Sequence, residues 1–186
     1  MAARRRVYLA GPDVFLPDAP AHAARKRAIC ARHGLAALAP LNEDVASLAA
    51  MPHDQAWRTI FAKDLAMMAQ ADLVIANLTP FRGPSADAGT LVELGWFLGA
   101  GKPAFGYSNS ATPFATRNAA FLHTLPDPVP GLSVGGFGLP DNLMIPGTLE
   151  AAGGMPMVLP ENGMDQDFTS LDVFTRCVEL VAQRLV

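Results

Sequence analysis

Two patterns of apolar and polar positions alternate along the first half of the chain. Short continuous apolar runs occur at residues 7–10, 35–40, 72–80 and 102–108. Such runs are typical of strands that are buried on both faces of a parallel sheet. Segments with apolar residues at helical spacing lie between them, at residues 21–33, 55–69 and 88–100. Strands that alternate with helices predict an α/β fold.

The C-terminal third has a weaker pattern. Residues 110–154 are rich in Gly and Pro and are predicted to form a long loop that is either functional or covered by a partner. Residues 155–159 are predicted to form a fifth strand, and residues 171–185 an amphipathic helix. Right-handed crossovers leave few topologies for this order of elements. We expect residues 1–186 to form a single-domain three-layer sandwich around a five-stranded parallel sheet of flavodoxin-like (Rossmann-like) order.

Composition and charge narrow the function classes. The 186 residues are 51% hydrophobic and carry a net charge of -3, so a nucleic-acid partner, which usually requires a basic excess, is not expected. No apolar run approaches the roughly 18 residues of a membrane span. Cys30 and Cys177 have no metal-ligand spacing and are expected to be reduced thiols of a cytoplasmic protein. Four histidines also lack such spacing and are expected on the surface or in loops: His22, His33, His53 and His123.

Candidate chemistry lies where the first and third strands end. Ligands of open α/β sheets bind beyond the carboxyl ends of the strands, which here are followed by the turn at residues 11–18 and the loop at residues 79–87. Asp87 precedes the third helix, and Glu93 lies six residues later in an apolar context. Six residues along a helix correspond to a rotation of about 600°, so two helical side chains at this spacing do not share one face. The carboxylates of Asp87 and Glu93 can therefore converge only because Asp87 precedes the helix. The helix N-terminus is expected to favour the ionised form of Glu93, which suits a nucleophile.

Asp87 and Tyr8 are two candidate site residues that also have structural interpretations. Asp87 is the kind of residue that caps a helix N-terminus. Tyr8, in the first strand, is the kind of residue that packs in a core with its hydroxyl satisfied locally. Sequence position alone does not decide between these interpretations and a role in the site.

Four segments in order resemble the nucleoside 2-deoxyribosyltransferases and span most of residues 7–144. They are VYLAGPDVFLPD, KDLAMMAQADLVIANLTPFRG, DAGTLVELG and GFGLPDNLM. The resemblance implies a double displacement at the anomeric carbon of a 2′-deoxynucleoside, with Glu93 as the nucleophile and Tyr8 as its hydrogen-bonding partner. It assigns Asp64 as the acid and base for the nucleobase, with a raised pKa.

The resemblance also implies which residues bind the substrates, a 2′-deoxynucleoside and a free nucleobase. Asp87 matches the acceptor of the sugar 5′-hydroxyl, while Asn142 and Met144 match residues that a neighbouring subunit supplies, which implies a homo-oligomer. The remaining expected substrate-binding residues are Gly11, Asp13 and Phe15 in the first turn, where Phe15 forms a wall of the base pocket, and Gly83 in the loop after the third strand. No cofactor or metal is implied.

Two alternatives remain open from the sequence. A 2′-deoxynucleoside 5′-monophosphate N-glycosidase resembles the transferases but carries a small hydroxyl residue at the position of Asp87, where a carboxylate would repel the phosphate. A nucleotide-sensing module without turnover would need neither a Tyr8–Glu93 pair nor a carboxylate at Asp64.

Overall fold

The sheet is parallel and has the predicted strand order. The computed structural model describes residues 4–41, 50–124 and 131–185. Its strands are β1 (Arg6–Ala10), β2 (Ala36–Leu38), β3 (Leu73–Asn77) and β4 (Ala104–Tyr107). They lie in the order β2-β1-β3-β4, and each neighbouring pair is parallel. The flavodoxin-like order expected from the sequence is confirmed.

The predicted fifth strand is reduced to a single bridge. Val158 pairs in parallel with Tyr107 at the outer edge of β4, and its N–H donates to Gly106 O at 3.0 Å. Proline has no N–H to donate to a ladder, and Pro156 and Pro160 stand on either side of this bridge. Within the described residues the sheet therefore has four strands rather than five, with the fifth segment in the expected place.

Helices cover both faces of the sheet. The described helices are α1 (Ala19–Arg32), α2 (His53–Gln70), α3 (Ala88–Gly99), α4 (Phe114–Leu122), α5 (Met144–Gly153) and α6 (Asp172–Arg184). One apolar cluster joins the sheet to α1 and α6 and contains both cysteines, which are buried free thiols. The other cluster joins the opposite face to α2, α3 and α5. No helix among the described residues is both long and apolar enough to cross a membrane.

Two sequence expectations are wrong. Residues 110–154 are not one long loop, because α4 and α5 lie within them. His22 is not a surface residue: it is 1% exposed in α1, where its ring contacts Asp13 beneath the first turn. Residues 42–49, which the sequence places in a loop, lie outside the described residues.

Candidate active site

The centre of the site is a contact between β1 and α3. Side chains alternate along a strand, so Val7 and Leu9 face α1 and α6 while Tyr8 faces the side that α3 covers. The Tyr8 hydroxyl donates a hydrogen bond of 2.5 Å to Glu93 Oε1. Tyr8 is fully buried, and its ring packs on Phe97 with a centroid distance of 5.9 Å. One oxygen of Glu93 is therefore fixed by a short bond to a rigid strand.

The electrostatics of Glu93 differ from the expectation. Burial, together with the charges of Asp64 and Asp87, raises the pKa of Glu93 to about 7, although the Tyr8 hydrogen bond lowers it. The expected lowering by the helix N-terminus is wrong because the macrodipole acts mainly within the first turn, and Glu93 lies in the second. At neutral pH both forms of Glu93 are populated.

Asp64 stands in the middle of α2, and its charge contributes to the pKa shifts of both Glu93 and Tyr8. Burial raises the pKa of Asp64, while the neighbouring Lys63 lowers it. The direction of this shift agrees with the expectation for a carboxyl group that must hold a proton. The structure thus joins Tyr8 and Glu93 by a direct contact, and Asp64 acts on both through its charge.

Asp87 caps the N-terminus of α3. Its Oδ2 accepts hydrogen bonds from Thr90 N at 3.0 Å and from Thr90 Oγ1 at 3.1 Å. The structural interpretation of this residue is therefore correct. A carboxylate offers about four acceptor positions, so capping and binding a substrate hydroxyl are compatible.

The turn after β1 is built around Gly11 and Asp13. A side chain at Gly11, whose φ is 152°, would lie 2.7 Å from Asn77 Cβ, so the chain can pass β3 only with glycine here. Asp13 Oδ2 accepts from Lys26 Nζ at 2.8 Å, and Oδ1 accepts from Asn77 Nδ2 at 3.0 Å. Lys26 is only 2% exposed, and its charge lowers the pKa of Asp13 even though burial opposes this. Asp13 thereby anchors the turn from below.

Aromatic rings line the rim of this turn. Phe15 is 58% exposed and stacks on Phe81 with a centroid distance of 5.6 Å and an interplanar angle of 13°. The ring of Phe168 lies 6.1 Å from that of Phe81, and the Arg82 guanidinium lies 4.7 Å from the Phe81 centroid. These rings, of which Phe15 is exposed and Phe81 and Phe168 are half-buried, offer stacking surface to a planar ligand.

Comparison with known proteins identifies the family. The sequence profile described as "Nucleoside 2-deoxyribosyltransferase" matches residues 7–144. The chain belongs to this family. The resemblance inferred from the four segments is therefore confirmed.

Relatives of this nucleoside 2-deoxyribosyltransferase family member cover nearly its whole length. It is similar to the solved structure of a 2-desoxiribosyltransferase from Leishmania mexicana, with a TM-score of 0.60, 28% identity, and coverage of 92% of this chain and 97% of that chain. An uncharacterized protein from Schizosaccharomyces pombe is 29% identical over 96% of this chain and 89% of its own length. A conserved protein from Enterococcus faecalis shares the fold, with a TM-score of 0.55, 19% identity, and coverage of 96% of this chain and 99% of that chain.

The residues that the family resemblance assigns to a neighbour lie at the surface. Asn142 and Met144 are exposed, Met144 by 68%. They line a groove of about 320 Å³ together with Gly95 of α3 and Thr148 of α5. Gly83 lies in the loop before α3 with open space around its Cα, so no contact there requires glycine.

Sequence analysis missed the contribution of the C-terminal segment. Phe168 reaches the aromatic rim because Asn109, at the end of β4, donates through Nδ2 to the carbonyls of Asp167, Phe168 and Ser170 at 2.9 to 3.1 Å. The run YSNS, which begins at the last residue of β4, lies at the same edge of the sheet as the other site loops. Its polar residues were the feature of the sequence that could have predicted a contribution from this region.

Proposed function

We propose that this protein transfers 2-deoxyribose from a 2′-deoxynucleoside to a second free nucleobase through a glycosyl ester on Glu93. The observation that carries the proposal is the 2.5 Å hydrogen bond from the Tyr8 hydroxyl to Glu93 Oε1. This bond fixes one carboxylate oxygen, so that the other oxygen would attack from a defined orientation. Family membership supports a glycosyl-transferring reaction.

The reaction proceeds in two displacements. Ionised Glu93 attacks C1′, so that a C–O bond forms while the C1′–N bond breaks and its electron pair stays on the base nitrogen. Asp64 gives its proton to the departing base. The incoming base then loses a proton to Asp64, and its nitrogen displaces Glu93 from C1′. Two inversions give retention of configuration.

The direction of the Asp64 pKa shift supports its role, whereas Glu93 acts through the fraction that is ionised at neutral pH. Asp64 has a raised pKa because of burial, as a proton donor requires. Glu93, with a pKa of about 7, is substantially ionised at neutral pH, as a nucleophile requires. The charge of Asp64 contributes to the raised pKa of Glu93. The mechanism therefore requires the shared proton to be on Asp64, and not on Glu93, when the substrate is bound.

Substrate contacts follow from the positions around this pair. Asp87, at the N-terminus of α3, accepts a hydrogen bond from the 5′-hydroxyl of the sugar. Gly11, Phe15 and Gly83 border the nucleobase. Asn142 and Met144 complete the site of a neighbouring subunit in a homo-oligomer. Their exposure supports this role, because an exposed apolar segment of this kind is usually covered by a partner.

The carboxylate of Asp87 favours a nucleoside over a nucleoside monophosphate. A phosphate group beside this carboxylate would be repelled, since like charges about 4 Å apart cost about 1 kcal/mol in water and more near a protein surface. The contact between Tyr8 and Glu93, with Asp64 beside it, also argues against a sensing module, which has no use for this arrangement.

The test is incubation of the protein with 2′-deoxyinosine and adenine, and separately with thymidine and adenine, followed by chromatography of the bases. We expect 2′-deoxyadenosine to form with at least one donor, and Glu93→Ala to abolish it with the fold intact by circular dichroism. Release of base from 2′-deoxyinosine 5′-monophosphate without transfer would favour the hydrolase instead. A sugar adduct on a residue other than Glu93, found by mass spectrometry, would refute the mechanism.

A further inference from the structure

A buried carboxylate joins the loop before α3 to the segment before α5. Asp141 is 1% exposed. Its Oδ1 accepts from Ser85 Oγ at 2.6 Å and from its neighbour Asn142 N at 2.8 Å. Its Oδ2 accepts from Ala86 N at 3.1 Å. One carboxylate therefore bonds two residues on the Asp87 side and one on the Asn142 side.

Arg117 of α4 reinforces the same junction. Its guanidinium lies 3.5 Å from Asp141 Oδ2 and donates to Pro84 O at 2.8 Å and to Pro140 O at 2.7 Å. With the bonds of Asp141, this ties three consecutive residues before Asp87 to Pro140, Asp141 and Asn142. The junction is built from a buried carboxylate and half-buried groups that each have a specific partner, so it holds a defined geometry.

We propose that Asp141 is a positioning residue of the transfer reaction, which holds the Asp87 end of α3 in register with the Asn142 segment. The inference rests on the proposed function, since it requires Asp87 to bind the sugar hydroxyl. Asp141 touches no substrate itself. Under the proposed function, Asn142 contributes to the site of a neighbouring subunit. The Asp141 carboxylate then connects two parts of one protomer: its own sugar-binding residue, Asp87, and the segment that it presents to its neighbour.

The expected energetic effect comes from orientation. The N-cap Asp87 follows directly on the residues that Asp141 holds, so loosening them displaces the carboxylate that anchors the sugar. A misplacement of about 1 Å in a reacting group can cost about 100-fold in rate. The cost falls on reactions that use the anchor, whereas a substrate without the anchored hydroxyl has no such orientation to lose.

The test compares two donors, 2′-deoxyinosine and 2′,5′-dideoxyinosine, with adenine as acceptor and enzyme in excess so that slow transfer is measured. Asp141→Asn keeps the side-chain shape but removes the negative charge and one acceptor oxygen. We expect kcat/KM for 2′-deoxyinosine to fall on the order of 10-fold to 100-fold. The fall with 2′,5′-dideoxyinosine should be less than about threefold, since the anchor is unused there.

Two further variants complete the test. Ser85→Ala removes only the 2.6 Å bond and should show the same dependence on donor, with a smaller loss. Asp72→Asn is the control, because Asp72 also accepts from a backbone amide, Arg6 N at 2.7 Å, but lies before β3, at the opposite end of the strands from the junction. Its effect on transfer should be the same for both donors.

The outcomes are distinct. An equal loss with both donors for Asp141→Asn and Ser85→Ala, in variants that unfold at the wild-type temperature, overturns the positioning role while leaving the proposed function intact. Absence of transfer by the wild-type protein overturns the proposed function, and the inference with it. A donor-dependent loss confined to Asp141→Asn and Ser85→Ala supports the inference.

Discussion

Three influences act on the Glu93 side chain and set its ionisation. Burial and the charges of Asp64 and Asp87 favour the protonated form, and the Tyr8 hydroxyl favours the carboxylate. Burial prevails, and the pKa of Glu93 rises to about 7. A glutamate with this pKa is more basic than an ordinary glutamate and is still partly ionised at neutral pH.

The first prediction concerns the pH dependence of kcat/KM, which reports the ionisation of the free enzyme. Because Glu93 must be ionised to attack, kcat/KM should fall about tenfold per pH unit below a midpoint near 7. Tyr8→Phe removes the bond that lowers the pKa of Glu93, so the midpoint should move to higher pH. An acid limb near the ordinary glutamate pKa, or a shift to lower pH in Tyr8→Phe, would contradict the assignment.

The second prediction concerns Asp64. Asp64→Asn should slow transfer from 2′-deoxyinosine by roughly 100-fold to 10,000-fold, the usual contribution of general acid–base catalysis. Transfer from 7-methyl-2′-deoxyguanosine should be much less affected, because its base departs without needing a proton. Asp54→Asn, an exposed carboxylate in the first turn of the same helix, serves as the control. Equal losses with both donors would indicate a binding or structural role.

The C-terminus of α2, the helix that carries Asp64, is bound by a lysine side chain from the segment before β4. Lys102, just before β4, donates through Nζ to the carbonyls of Met68 at 3.2 Å, Ala69 at 2.8 Å and Ala71 at 2.6 Å. Its ammonium also lies 5.3 Å from the Trp96 ring of α3. The last carbonyls of a helix have no partner within the helix, so this lysine satisfies them and complements the macrodipole.

The third prediction follows from this cap. Lys102→Met keeps the apolar stem but removes the charge and the donors, and should lower the free energy of unfolding by about 1–2 kcal/mol in urea titration. Transfer activity per folded molecule should be retained at permissive temperature. Arg32→Met, an exposed cation in the last turn of α1, should cost less than about 0.5 kcal/mol. Equal costs for the two variants would disprove the cap.

The elements differ in how far the sequence predicted them. The apolar runs of β1, β3 and β4 and the periodic helices α1, α2 and α3 were predicted with nearly their observed bounds, since each has a local pattern. Helices α4 and α5 were missed because glycine and proline surround them, and α5 contains both. The fifth strand was overpredicted because its apolar pattern outweighed its flanking prolines.

The site was predicted unevenly for a related reason. Asp87 and Glu93 share one short segment and were found from it. Tyr8 and Asp64 were linked to Glu93 only through the family resemblance, because hydrogen bonding across 85 residues leaves no local signal. The junction of Asp141 and Arg117 was missed for the same reason. These two residues lie 24 positions apart, and both form hydrogen bonds with residues 84–86, which are distant from them in sequence.

Seen whole, the molecule exposes an apolar surface around the segment assigned to the neighbouring site. Met144 is 68% exposed, Phe137 70%, Leu143 51%, and Val92 of α3 73%. Exposed apolar side chains usually mark an interaction surface where they are contiguous. Met144 lines the groove shared by α3 and α5, so a subunit docked there would contact the helix that carries Glu93.

The final prediction tests whether sites are shared between subunits. Glu93→Ala and Asn142→Ala proteins should each be nearly inactive, because one lacks the nucleophile and the other lacks the residue it supplies to its neighbour. When the two are mixed and their subunits exchange, some hybrid sites combine an intact Glu93 with an intact Asn142, so transfer activity should return. In a dimer with two shared sites, one of the two sites of each hybrid is intact. Restored activity should therefore approach about a quarter of the wild-type value at equal mixing, since half of the dimers are hybrids.

Mixing Glu93→Ala with an Asn142→Ala, Glu93→Ala double variant is the matched control and should restore nothing. If exchange is verified by mass spectrometry and the first mixture also stays inactive, the segment serves its own chain, and a dilute monomer should then be active.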